Sequence, residues 1–180
     1  MNKKNATYRE QGKTYYSDTC EPLVKAWQAG KVQLEAWARL SYPGYPIDLK
    51  LLPGINTIGY WDAQFPQEWG LDYHRNEGIE ITFLETGSMS FSMEEDDFIL
   101  TSDDFTITRP WQLHKVGNPY VGVGKLHWLI LDVGVRHPHQ NGNGHPGCCS
   151  TKKILKNSQR CSGKMSSLYG RLMARSEDAF

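Results

Sequence analysis

The feature that most constrains this chain is the stretch from His74 to Asn118, where short apolar-polar alternations are punctuated by turn residues. Apolar side chains recur at every second position in Ile79-Ile81-Phe83 and again in Met89-Phe91-Met93, the period of a strand with one dry and one wet face. Gly87 breaks the first run, and Glu94-Glu95-Asp96-Asp97 supplies a polar turn before Phe98-Ile99-Leu100. Ser102-Asp103-Asp104 makes another turn, Phe105 and Ile107 resume the alternation, and Pro110 removes an amide donor and ends the ladder. Antiparallel strands this short bury one face only against a second sheet or inside a closed barrel. An all-β sandwich or barrel is therefore predicted.

The flanking sequence extends that plan. Asp18-Thr19-Cys20-Glu21 before Pro22 reads as a capping box. It predicts a short helix to about Ala29, stopped by Gly30, with Leu23, Val24 and Trp27 on one face. From Val32 to Leu40 the period is two, and Tyr42-Pro43-Gly44-Tyr45-Pro46 closes that strand. A second strand is predicted from Ile55 to Trp61, and Lys125 to Val133 has the composition of a central one, with His127 read as a structural hydrogen-bonder. Trp61, Trp69, Tyr73 and Trp111 approach one mouth of the barrel from separate loops and strand ends. Such rings either wall a site for a sugar or small polar organic, or plug the barrel end.

Charge narrows the function classes. Acidic and basic residues balance at 20 each, so no overall field draws the chain to nucleic acid or an anionic membrane. From Asn141 onward, however, seven Lys and Arg stand against Glu177 and Asp178, which leaves residues 1–140 acidic and the tail basic. Met1 to Tyr16 lacks a signal-peptide core, and no window approaches a membrane span. Cys20, Cys148, Cys149 and Cys161 form neither a disulfide framework nor paired C-x2-C ligands, so a reducing cytoplasm is the expected compartment. No nucleophilic triad or phosphate-binding glycine loop is present; Gly122-x-Gly124 is too short.

His74-x-Asn76-x3-Glu80-x6-Gly87 resembles the first cupin motif, which in metal-binding cupins has a second His where Asn76 stands. Asp103-Asp104 with Arg109-Pro110-Trp111-Gln112-Leu113-His114, closed by His114-x3-Asn118, is similar to the second. The wording between Trp61 and His139 most resembles the N-terminal effector-binding and dimerisation domain of AraC-type transcription regulators. That resemblance implies a cupin-like jelly-roll barrel, a double-stranded β-helix, that senses a small sugar-like or polar organic effector, forms a homodimer and is no enzyme. It implies no metal or other cofactor, and DNA contact only through a C-terminal helix-turn-helix domain that these residues do not include. His74, Glu80, Arg109, Trp111, His114 and Trp61 are the candidate ligand-binding residues. The alternative is a metal-dependent cupin enzyme, a dioxygenase or isomerase, with His74, Glu80 and His114 as three ligands around an open position. Otherwise the histidines are hydrogen-bonded pocket residues and Glu80 pairs with Arg109 or faces water.

The domain plan is an arm over residues 1–17, with a lid near Tyr15-Tyr16, a sensor domain over 18–140 and a basic, disordered tail over 141–180. His137, His139, His145, Cys148 and Cys149 are a weaker zinc-ligand cluster, since adjacent cysteines chelate poorly. Any codons for Asn141-Gly142-Asn143-Gly144-His145-Pro146-Gly147, read two nucleotides on, can encode a Trp-rich run suited to a continuing barrel. An out-of-frame tail is thus expected from about Asn141.

Overall fold

A computed structural model of the chain describes residues 7–135 apart from Gln11, Leu40, Leu49, Glu94 and Glu95. The tail, its zinc-ligand cluster, the boundary near residue 140 and part of the predicted arm and acidic turn lie outside the described residues. Strands β1 (Thr7–Glu10) and β2 (Lys13–Tyr16) form a hairpin, and α1 (Glu21–Gln28) follows. Then come β3 (Gln33–Ala38), β4 (Tyr45–Pro46), β5 (Ile55–Ala63), β6 (Leu71–His74) and β7 (Ile79–Met93). The chain continues through β8 (Asp96–Thr101), β9 (Phe105–Thr108), β10 (His114–Val116) and β11 (Gly124–Leu131). No helix among the described residues is long and apolar enough to cross a membrane.

Strand β7 holds the architecture together. Its first half lies between β11 and β9, and its second half between β8 and β10. Two sheets result, β4-β3-β5-β11-β7-β9 and β8-β7-β10-β6, joined through one 15-residue strand. Gly87 stands at the changeover with φ 94, and a Cβ there would meet the Val123 carbonyl at 2.1 Å. The glycine therefore turns the strand from one sheet into the other, where the sequence had predicted a break. The described residues are almost all β, with one short helix.

The first-half alternation has the predicted period and the opposite phase. Glu80, Thr82 and Leu84 point inward and are buried, whereas Ile79, Ile81 and Phe83 lie half-buried on the outer face. Beyond them Met89, Phe91 and Met93 face inward, as their spacing predicted. The switch of parity comes from a bulge: Leu126 pairs with Leu84 and Lys125 with Thr86, leaving Glu85 as the extra residue. The Thr82 hydroxyl is in contact with that of Thr106, which makes its burial tolerable.

Apolar side chains from both sheets fill the space between them. Leu84, Leu126, Phe91 and Ile130 are almost fully buried, each worth about 1.5–3 kcal/mol of transfer free energy. Trp61 packs against Trp128 at 5.9 Å between ring centroids and edge-on to Trp69 at 6.2 Å. The hairpin has its own small cluster, in which Tyr8 stacks on Tyr15 at 5.3 Å and meets Trp111 at 5.6 Å, beside Val135.

Helix α1 departs from the predicted cap. Cys20 is the N-cap in a left-handed conformation, φ 51, with no side-chain cap; Asp18 Oδ1 accepts from Thr19 N, and Glu21 pairs with Lys25 at 2.7 Å. The Asp18 amide donates to the Arg75 carbonyl at 3.0 Å, which ties this segment to the end of β6 and takes Asp18 out of capping position. The buried helix residues are Leu23 and Ala26, and Trp27 is largely exposed.

Candidate functional site

Strand β6 ends at His74 and β10 begins at His114, and the two are direct cross-strand partners with ring centroids 4.2 Å apart. The first half of β7 brings Glu80 against them because of the phase described above. One ligand atom from each of His74, Glu80 and His114 falls within 4.8 Å of the others. Among the described residues this is the only group of three or more such side chains arranged to hold a metal ion.

Backbone carbonyls orient both imidazoles. Asp72 O lies 2.7 Å from His74 Nδ1, and Gln112 O lies 3.0 Å from His114 Nδ1. A carbonyl can only accept, so Nδ1 carries a hydrogen in each ring and Nε2 is left as the ligand atom. His114 Nε2 is 2.9 Å from Glu80 Oε2, an ion-pair distance when the imidazole is protonated, without the alignment of a directed hydrogen bond. Asn76 Nδ2 donates to Glu80 Oε2 at 2.8 Å, while Asn76 Oδ1 is buried without a hydrogen-bond partner.

Burial penalises every charge here, and the close pair overcomes it. Burial works against a charged His114, but the Glu80 carboxylate beside it outweighs that and lifts the imidazole above its ordinary range. Burial likewise pushes Glu80 up, and His114, His74 and Asn76 together hold it below the usual carboxylate value. His74 is lowered, first by burial and then by the charge on His114. In metal-free protein these directions favour charge on the His114–Glu80 pair and disfavour it on His74.

The interior space at this site is small, about 30 Å³, and Trp61, Leu126, Trp128, Tyr42 and Cys20 are among its walls. A space of that size has room for water or an ion and is too small for a sugar. A second, open cleft of about 380 Å³ lies between Tyr15, Tyr16, Asp18, Tyr73, His74 and Arg75. His74 lines both spaces. Two imidazoles and one carboxylate suit a divalent transition metal, and His114 Nε2 and Asn76 Oδ1, both buried without a hydrogen-bond partner, fit such a group.

Of the sequence candidates, His74, Glu80 and His114 come together, and His74, Glu80 and Trp61 line the interior space. Trp111 instead belongs to the hairpin cluster, with its Nε1 donating to Val135 O at 3.4 Å, and Arg109 is exposed just past β9. The Glu80 to Arg109 pairing is replaced by contacts with His114 and Asn76. His127 bonds Glu85 at 2.6 Å on the outer face of the sheet, away from the site. Sequence reading treated Asn76 as a lost ligand and missed its grip on Glu80. It also missed Asp72 and Gln112, which act through main-chain carbonyls and leave no side-chain signal.

No family model matches the chain, and no curated protein matches it by sequence. Solved structures do. A cupin superfamily protein from Desulfitobacterium hafniense is 12% identical, with 55% of this chain and 77% of that one covered at a TM-score of 0.40. A predicted oxalate decarboxylase from Thermotoga maritima is 16% identical over 56% of this chain and 79% of its own, also at 0.40. A Cupin_2 domain of an XRE family transcriptional regulator from Enterobacter cloacae is 14% identical over 56% and 96%, again at 0.40. The site reading rests on the strand pairing and side-chain geometry above.

Proposed function

We propose that this chain is the small-molecule-sensing, dimerising part of an AraC-type regulator, working in the cytoplasm, with a sensing site built on a divalent transition metal held by His74, Glu80 and His114. The observation that supports the metal-centred site is the pair of imidazoles fixed by backbone carbonyls, with one ligand atom from each of His74, Glu80 and His114 within 4.8 Å of the others. When bound, such a metal supplies Lewis acidity and open positions for an oxygen or nitrogen of a guest. Asn76 keeps the Glu80 carboxylate turned toward the histidines. Bulkier parts of a small polar guest fit only the outer cleft, against Tyr15, Tyr73 and Arg75. Contact with DNA belongs to a domain outside these residues.

The one thiol lining the interior space, Cys20, is pushed well up by burial, then by the charges of Asp18 and Glu80, so it stays protonated. The second reading, a metal-dependent dioxygenase or isomerase, is favoured by the same three-ligand set with its open positions.

Purified full-length chain, analysed for metals and then screened with sugars and small carboxylates by thermal shift, tests both. A stoichiometric metal lost on His74→Gln or His114→Gln, with a selective ligand that is recovered unchanged, supports the sensor. Consumption of that ligand supports the enzyme. Absence of any bound or bindable metal overturns the metal-centred site in either form.

A further inference from the structure

The open cleft of about 380 Å³ has the size of a small-molecule site, roughly 300–1,000 Å³. Its walls come from two segments, Tyr15 to Thr19 and Tyr73 to Arg75, and the bond from the Asp18 amide to the Arg75 carbonyl ties them together. Arg75 is the only Lys or Arg that lines it. Half-buried, it sets its guanidinium carbon 4.9 Å from the centroid of the Tyr15 ring, and among the described residues this is the only partner its side chain has. Tyr15 in turn stacks on Tyr8 at 5.3 Å, and Tyr8 meets Trp111, so a short series of rings braces the guanidinium. An arginine offers five N–H donors in a rigid planar fork and accepts nothing. Here an aromatic face fixes the fork while its donors are left to water or a guest. The neighbouring carboxylates are engaged elsewhere: Asp18 Oδ1 accepts from the Thr19 amide at 2.8 Å, and Asp72 Oδ1 from the Tyr73 amide at 2.7 Å.

We infer that this cleft takes a small monocarboxylate, with the carboxylate on Arg75 and the body of the molecule against the rings of Tyr15, Tyr16 and Tyr73. The inference rests on the cleft being the seat of the guest, as proposed above, and narrows that guest to an acid over a neutral sugar. A planar two-oxygen anion matches the guanidinium fork with two parallel charge-assisted bonds, which a sugar hydroxyl cannot do. Lys115 strengthens the positive side: its Nζ lies 4.9 Å from the centroid of the Tyr73 ring, with no carboxylate partner among the described residues. Asp18 limits the charge from the opposite direction, because a doubly charged phosphate would lie on the same walls as its carboxylate. Tyrosine rings give the rest of the guest flat, amphipathic walls.

Isothermal titration calorimetry on the metal-stripped full-length chain compares phenylacetate with phenylacetamide, its neutral isostere. The acid is expected to bind at least about tenfold tighter, the contribution of a charge-assisted pair at a half-open site. Arg75→Gln brings the acid down to the level of the amide. Arg75→Lys, which keeps the charge and loses the fork, leaves an intermediate preference. The readout is the ratio of acid to amide within each variant, so a general loss of folding does not imitate it. An acid preference that depends on Arg75 supports the inference whether or not the same protein, analysed separately, holds a metal, which keeps the two readings apart. Equal affinity for acid and amide, binding of neither, a preference that survives Arg75→Gln, or phenyl phosphate binding more tightly than phenylacetate overturns it.

Discussion

Replacing Asn76 by Asp changes one atom type at the centre of the site and separates a metal centre from a purely structural hydrogen-bond network. Asn76 Nδ2 now donates to Glu80 Oε2 at 2.8 Å, a charge-assisted bond worth about 1.5–3 kcal/mol. Asn76→Asp turns that donor into a second buried carboxylate beside the first. Without metal, one of the two must take up a proton, and holding a carboxyl with an ordinary pKa near 3.9 protonated at pH 7 costs about 4 kcal/mol. A shared proton and the His114 imidazolium return part of this, so a net loss of about 2–4 kcal/mol is expected. For a domain of this size that lowers the melting temperature by roughly 10 °C. A divalent cation reverses the sign of the change, because the new carboxylate becomes a further ligand. At a hundredfold excess over Kd, metal contributes about 2.7 kcal/mol even to the parent, and more to the variant. Differential scanning fluorimetry with chelator and then with Zn²⁺, Mn²⁺ or Ni²⁺ reads both effects. A metal-free variant melting within about 2 °C of the parent, or one shifted by metal no further than the parent, refutes the reasoning.

Three further outcomes follow from the packing and the charges. In metal-free protein the Glu80–His114 pair contributes fully between the ordinary values of 4.5 and 6.5, fades as pH falls through the lowered Glu80 pKa, and fades as pH rises through the raised His114 pKa. The melting difference between parent and His114→Gln should therefore be largest in that window; a difference that grows steadily up to pH 9 contradicts the pairing. His74, lowered first by burial, costs stability as pH falls below 6.5 in both proteins, less so in His114→Gln, which removes the charge that adds to the shift. Gly87→Ala forces a Cβ to within 2.1 Å of the Val123 carbonyl at a positive φ and should cost at least about 2 kcal/mol in urea unfolding. Tyr8→Ala should free the hairpin from Trp111 and red-shift tryptophan emission with little change in global melting, since that cluster stands apart from the inter-sheet core.

Much of the fold was legible because period-two patterning and turn residues are local signals. The strands around Ile55, Met89 and Lys125 fall where the alternation put them, and the helix stops at Gly30 as the glycine predicted, with the Gly30 amide bonded to Trp27 O at 2.9 Å. Phase was not legible on β7. Periodicity tells which residues share a face and leaves open which face is inside, and one bulged residue, Glu85, inverts the answer halfway along. The inward placement of Glu80 and Thr82 runs against hydrophobicity because their partners, Asn76, His114 and Thr106, arrive from elsewhere in the chain. The capping signal at Asp18 failed for a related reason: a long-range bond to Arg75 outcompeted a local one. At the site, the spacing of His74, Glu80 and His114 was readable, but the carbonyls of Asp72 and Gln112 that set the ring tautomers carry no residue-type signature.

The position of His74 on a shared wall has a thermodynamic consequence. Its ring borders the open cleft with one surface and the small interior with the other, while a single carbonyl anchors it. On the proposed function, an occupant of the cleft that tilts that ring would alter how firmly the interior holds an ion, and reciprocity would oblige the ion to alter the hold on that occupant by the same factor. One imidazole would then couple the two spaces.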